Sequence, residues 1–186
     1  LMAQSGQLTK AVELAHKAVK VRPSNATAQV SLGEFLRRTG DYDGAMVAAD
    51  RALKIVPDYE KALNLRGLLL REKGRYEEAI PYFEAGLRAK HVSKENRLNL
   101  AASLTAIGRY EEAANAYQEH LRLSINDPVP YVGLGQVNRL RGNHLAAEHV
   151  LREGLQDFPK FRPLHFELAL TLASSDRLAD AGEHFA

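Results

Sequence analysis

Apolar positions recur along this chain at helical spacing, in paired segments separated by regular breaks. The stretch "ATAQVSLGEFLRRT" (Ala26–Thr39) places Val30, Leu32, Phe35 and Leu36 at helical spacings, with no proline to interrupt it. Gly40 and Asp41 then break the pattern, glycine supplying a turn and aspartate a helix cap. The stretch "DGAMVAADRALKIV" (Asp43–Val56) resumes the period through Ala45, Ala49, Ala52, Leu53 and Val56, and Pro57 stops it. Pro23 and Pro159 stop other segments at equivalent places. Each such unit predicts two antiparallel helices. Gly33, Ala45 and Ala52 are small enough for the two backbones to approach closely.

The breaks keep a fixed interval. "GRYEEAIPYFEAGL" (Gly74–Leu87) is followed 34 residues later by "GRYEEAANAYQEHL" (Gly108–Leu121). Steps of 34 from Gly74 reach Gly6, Gly40, Gly108 and Gly142, then Asp176. Five residues after these points stand Ala11, Ala45, Ala79, Ala113, Ala147 and Ala181. Thirteen after the glycines stand Val19, Leu53, Leu87, Leu121 and Leu155. Seven before stand Gly33, Gly67, Ala101, Gly135 and Ala169. The repeat therefore covers the whole chain.

This spacing resembles the tetratricopeptide repeat, a 34-residue helix–turn–helix with Leu-Gly in its first helix and Gly-x-Tyr at the turn. "SLGEFLRRTGDYDGAMVAADRALKIVP" (Ser31–Pro57) carries most of the motif. The resemblance implies an all-α fold, a right-handed α-solenoid of antiparallel helix pairs. It divides one continuous domain, 1–186, into a partial repeat 1–25 (the end of a first helix plus a second helix), full repeats 26–59, 60–93, 94–127 and 128–161, and a partial repeat 162–186. Solenoids need solvating helices at their ends. Neither end of this sequence reads as one, so the expectation is an internal stretch of a longer array.

Several slots depart from the pattern. His120 stands where other repeats have Ala18, Ala52, Gly86 and Gly154, and its bulk should loosen or tilt that helix pair. Arg66 and Asn138 replace leucine at normally apolar positions. His91 and Ile125 replace the stopping proline, although Asp127-Pro128 restores a stop shortly after the second of them.

Composition narrows the function classes. The chain has 25 basic and 23 acidic residues, and a net charge of +2 offers no field to attract nucleic acid or an anionic membrane. It has no cysteine, which excludes thiolate chemistry and disulfides. No apolar run is long enough to span a bilayer, and the N-terminus has no signal-peptide pattern. His144 and His149 are five apart, not the four that would align two metal ligands on one helical face. The acids of "YEEA" lie in the first turn of a helix, where they favour the positive end of its dipole. No phosphate loop or nucleophile elbow is present. The expectation is a chain that is not an enzyme and holds no cofactor or metal.

In proteins that this chain resembles, a concave face lined by each first helix holds peptide segments. The matching positions are Val30, Glu34, Arg37 and Arg38 in the second repeat, and Lys61, Asn64, Leu68 and Arg71 in the third. They continue as Leu98 and Ala102 in the fourth, Val129, Val132, Gln136, Arg139 and Leu140 in the fifth, and Phe166 and Leu170 in the sixth. The early set is charged and the late set largely apolar. This predicts an apolar groove over the fourth to sixth repeats, with Arg37, Arg38 and Arg71 steering an acidic flank. The carboxylate clamp of chaperone-tail binders requires cations that no frame of these positions supplies. The asparagine ladder of the O-GlcNAc transferase superhelix maps to Ser31, Leu65, Asn99, Gly133 and Glu167, with a single asparagine.

The functional expectation is a protein-interaction scaffold that binds a peptide or helix. The alternative is a recruiting arm of a larger enzyme, of glycosyltransferase or sulfotransferase type. The constant period of 34 and the near-neutral charge argue against base-by-base RNA reading. Self-association through uncapped ends is a further expectation.

Overall fold

The computed structural model describes residues 2–123 and 126–185; for residues 2–5, 179 and 183–185 it describes the backbone alone. Among the described residues the chain is all-α. Its helices are α1 (Met2–Val21), α2 (Ala26–Thr39), α3 (Tyr42–Ile55), α4 (Glu60–Glu72), α5 (Tyr76–Ala89), α6 (Lys94–Ala106), α7 (Tyr110–Leu123), α8 (Val129–Leu140), α9 (His144–Asp157), α10 (Arg162–Ala173) and α11 (Leu178–Phe185). From α2 onward they form sequential antiparallel pairs. Ile125, which replaces the stopping proline, lies outside the described residues.

The turn inside each pair is built the same way. Gly40, Gly74, Gly108 and Gly142 adopt left-handed backbone with φ between 73° and 85°. Each first helix thus ends in a reversed turn, with Asp41 N bonded to Leu36 O, Arg75 N to Leu70 O, Arg109 N to Leu104 O and Asn143 N to Asn138 O. Asp176, which stands in the glycine slot, takes the same conformation at φ 60° and carries the same bond from Arg177 N to Leu172 O. Asp41 then caps α3 by accepting from Gly44 N at 2.9 Å. Gly6 differs. α1 runs through it as continuous helix, because glycine weakens a helix by only about 1 kcal/mol and does not by itself stop one.

The chain divides into two compact units, Leu1–Asn99 and Leu100–Ala186. In the first, α2 lies against α1, α3 and α4, and α4 against α5. Its core joins Leu32 and Leu36 of α2 to Ala45, Ala49 and Ala52 of α3 and to Leu65 and Leu69 of α4. A Cβ on Gly33 would stand 2.7 Å from Leu65 Cδ2, and one on Gly67 would stand 2.5 Å from Phe83 Cε1. The absence of a side chain at these points is therefore what lets the helices meet. In the second unit, α8 lies against α7, α9 and α10, and α10 against α9 and α11. Its core gathers Leu151, Leu164, Leu168 and Leu172, with Tyr131 against them. Gly135 admits Leu151 as Gly67 admits Phe83.

The irregular slots are absorbed locally. His120 is fully buried and its Nε2 donates to Asp127 Oδ2 at 2.9 Å. Arg66 donates to Asp50 Oδ1 at 2.7 Å and stacks over the Tyr82 ring. Its charge replaces the usual apolar contact with an ion pair and a cation–π contact. The loops after the second helices are tied by one recurring bond. Gln29 donates to Pro23 O, Arg97 to His91 O and His165 to Pro159 O, each reaching six residues back. In the third and fifth repeats that position is Leu63 and Tyr131, and both side chains go into the core instead.

Candidate protein-binding faces

The predicted binding positions fall in both units, and each unit presents its own set. In the first, Val30, Glu34, Lys61 and Asn64 come together around a cleft of about 300 Å³, joined by Glu60, Lys90 and Glu95. The cleft floor is polar and buried. Asn96 Nδ2 donates to Glu60 Oε1 at 2.7 Å and to Ser93 Oγ at 2.9 Å. Ser93 Oγ donates to the same Glu60 oxygen at 2.7 Å, and Asn64 Nδ2 donates to Asn96 Oδ1 at 3.2 Å. Asn96 fits because it faces Gly86, where a Cβ would lie 2.5 Å from its Oδ1.

Apart from Asn64, the members of this network were not among the residues singled out from the sequence. The signal was present: Asn96 holds a position that is Ala28, Ala62, Pro130 and Leu164 in the other repeats. An asparagine at an apolar slot needs buried partners, and Glu60 and Ser93 supply them.

The expected face positions of this unit differ in their surroundings. Val30 belongs to the core, and Asn64 is buried and bonded within the network at the cleft. Arg37 is engaged within the chain, with Nη1 on Glu72 at 2.6 Å and Nε on Glu34 at 3.2 Å. Burial alone would lower its pKa, but the hydrogen bonds and charges of Glu72 and Glu34 hold it above its ordinary value. Arg71 donates to Asn99 Oδ1 at 2.9 Å. Each arginine thus donates to a residue of the next first helix. Arg38 and Lys61 are exposed, and Leu68 is half-buried. Leu98, at the end of this unit, is half-buried as well.

In the second unit the predicted positions line α8 and α10. Val129 is 44% exposed, Leu140 43% and Phe166 56%, while Gln136 is open to solvent. Val132, Leu170 and Ala102 are half-buried, and Val132 packs against the core. Arg139 reaches from α8 to α10, with Nε 2.6 Å from Glu167 Oε1. Arg71 and Asn99 occupy the same two positions two repeats earlier. The ladder positions Asn99 and Glu167 therefore serve as internal acceptors between successive first helices.

Among the described residues no group of three or more histidine, aspartate or glutamate side chains is placed to hold a metal ion. No helix among them is long and apolar enough to cross a membrane.

A helix pair repeated at fixed interval, with glycine or alanine at the close approaches and a left-handed residue at each turn, defines an α-helical repeat protein. The chain is a tetratricopeptide-repeat protein. Residues 3–60 match the family model of the tetratricopeptide repeat. Residues 38–120 match the model of the anaphase-promoting complex, cyclosome, subunit 3. No curated protein sequence matches the chain.

Solved structures carry the fold over nearly its full length. PilW, a widely conserved type IV pilus biogenesis factor, is 19% identical with a TM-score of 0.88, covering 98% of this chain and 84% of its own. A tetratricopeptide repeat protein from Parabacteroides merdae is 20% identical with a TM-score of 0.84, covering 98% of this chain and 72% of its own. YrrB, a TPR protein with an unusual peptide-binding site, is 21% identical with a TM-score of 0.75, covering 94% of this chain and 90% of its own. At these identities the likeness is one of fold.

Proposed function

We propose that the chain is a non-catalytic interaction module that holds a peptide or helical segment of a partner protein on the α8 and α10 face. The fold is that of protein-interaction scaffolds. The observation that carries the finer reading is the exposure of Val129, Leu140 and Phe166 on two helices whose opposite sides form the core of the second unit. Large apolar side chains gathered on one exposed face favour a partner's apolar face, and truncation of such anchors dominates binding energy where they are used. That YrrB has a peptide-binding site on the same fold is consistent with this reading. Arg139 takes a positioning role, since its bond to Glu167 holds α8 and α10 in place beneath the anchors.

A peptide library displayed on phage tests the proposal. Peptides selected on the native chain are expected to carry apolar anchors and to lose binding to a Leu140→Lys, Phe166→Lys variant. Both positions are exposed, so the variant keeps its fold. No enrichment, or enrichment that ignores the two lysines, overturns the reading.

A further inference from the structure

The geometry points to a binding site for a cationic side chain of a partner polypeptide, a guanidinium or ammonium group, in the polar cleft of the first unit. This cleft of about 300 Å³ is lined by residues of α2, α4 and α6 and by Lys90. Its floor holds hydrogen-bond acceptors that the chain itself leaves unused.

One carboxylate sets the orientation of the floor. An ionised carboxylate accepts and has no proton to donate. Glu60 Oε1 takes bonds from Ser93 Oγ and Asn96 Nδ2, each at 2.7 Å. Asn96 therefore turns its amide nitrogen to Glu60 and offers its Oδ1 to Asn64. Asn64 must answer with Nδ2, at 3.2 Å. That fixes the Asn64 amide in one of its two orientations and leaves Oδ1 as an acceptor on the cleft side. Asn64 is only 9% exposed, yet this oxygen has no partner among the described residues. Glu60 Oε2 has none among them either. Buried amide oxygens are normally bonded, so this one is held ready for a donor. The fold does not demand an amide here, because the same position is Val30, Leu98, Val132 and Phe166 in the other repeats.

Charge selects the donor. Glu34 and Glu95 line the same cleft, and Glu34 gives Arg37 its Oε2 while Oε1 stays unbonded among the described residues. An anion on this floor meets acceptors with no proton to offer it. A neutral amide satisfies Asn64 but leaves the Glu60 charge unanswered. A cation satisfies both through charge-assisted bonds. Lys61 and Lys90 also line the cleft, but both are exposed, and their flexible stems keep the ammonium groups in water. The site lies within the first unit and is independent of the α8 and α10 face.

The probes are capped tripeptides: acetyl-Ala-Arg-Ala-amide, the same peptide with citrulline for arginine, and acetyl-Ala-Glu-Ala-amide. Each is titrated into the intact chain and followed by NMR. The arginine peptide is expected to shift the side-chain amide signals of Asn64 and Asn96 saturably. Citrulline keeps the shape and loses the charge, and is expected to bind roughly tenfold more weakly, a comparison made entirely on the native chain. Glu60→Gln supplies the second arm. Its Oε1 keeps the bonds from Ser93 and Asn96, while an amide nitrogen replaces the free Oε2, so the fold stays and an acceptor becomes a donor. This variant is expected to keep the native melting temperature to within a few degrees and to bind the arginine peptide roughly tenfold more weakly. Absence of saturable shifts, shifts confined elsewhere, equal binding of the citrulline peptide, preference for the glutamate peptide, or binding that Glu60→Gln leaves unchanged overturns the proposal.

Discussion

His120 Nε2 lies 2.9 Å from Asp127 Oδ2, and this bond ties the end of α7 to the start of α8. The imidazole occupies a slot that is alanine or glycine in the other repeats, and it is tolerated because Asp127 is within reach. Asp127 also accepts from Val129 N through its other oxygen, at 3.0 Å. Replacing Asp127 by alanine is expected to destabilise the chain by about 1–3 kcal/mol, because a buried N–H loses its acceptor. A His120→Ala, Asp127→Ala double variant is expected to lose less than the sum of the single losses. Urea denaturation of the four proteins measures the coupling.

Gly86 and Asn96 form a size-matched pair. Gly86→Ala alone drives a methyl group into Asn96 and is expected to cost about 1–3 kcal/mol. Asn96→Ala alone strips partners from Glu60, Ser93 and Asn64, at a similar cost. The combination recreates the Ala52 and Ala62 arrangement of the preceding repeats. It is expected to be more stable than the sum of the single variants predicts, and additive losses in a denaturation cycle would refute size matching.

Glycines in this chain serve two separable purposes. Gly40 has open space where its Cβ would lie, but holds φ at 85°. Gly40→Ala is therefore expected to cost about 1–2 kcal/mol through backbone strain alone. Gly67→Ala meets the Phe83 ring and is expected to cost about 1–3 kcal/mol through packing. Asp176→Gly relieves a left-handed non-glycine residue and is expected to raise stability by about 1 kcal/mol. Thermal unfolding distinguishes these, since only Asp176→Gly should raise the midpoint.

Two exposed ion pairs give the chain an acid-sensitive component. Arg75 holds Glu78, and Arg109 holds Glu112, each through two hydrogen bonds of 2.6 Å. Those bonds hold both carboxyls below their ordinary pKa of 4.5. Stability from a carboxyl depressed on folding is present above its unfolded value and is lost as pH falls through its folded value. An Arg75→Ala, Arg109→Ala variant should therefore show a smaller drop in melting temperature than the native chain between neutral pH and about pH 3. Added salt should narrow the difference between the two proteins at neutral pH. An unchanged pH dependence would show that these pairs contribute nothing.

The sequence by itself determined the period, the helix pairing and the family. The reason is that each repeat restates the same local physics: an apolar stripe at helical spacing, glycine where the backbone turns left-handed, and small residues where helices touch. It also located the first helices whose faces could bind. Only the tertiary structure decided which of those residues are available. Arg37 and Arg71 read as steering cations and Arg139 as a face position, yet each meets an acceptor supplied by a later repeat, about one period away in sequence. Val30 and Asn64 read as face positions and lie buried. Asn96 is not one of the expected face positions, and it is the centre of a buried network. Whether a polar side chain is offered to a partner or consumed internally depends on distances across repeats, and linear spacing does not encode them.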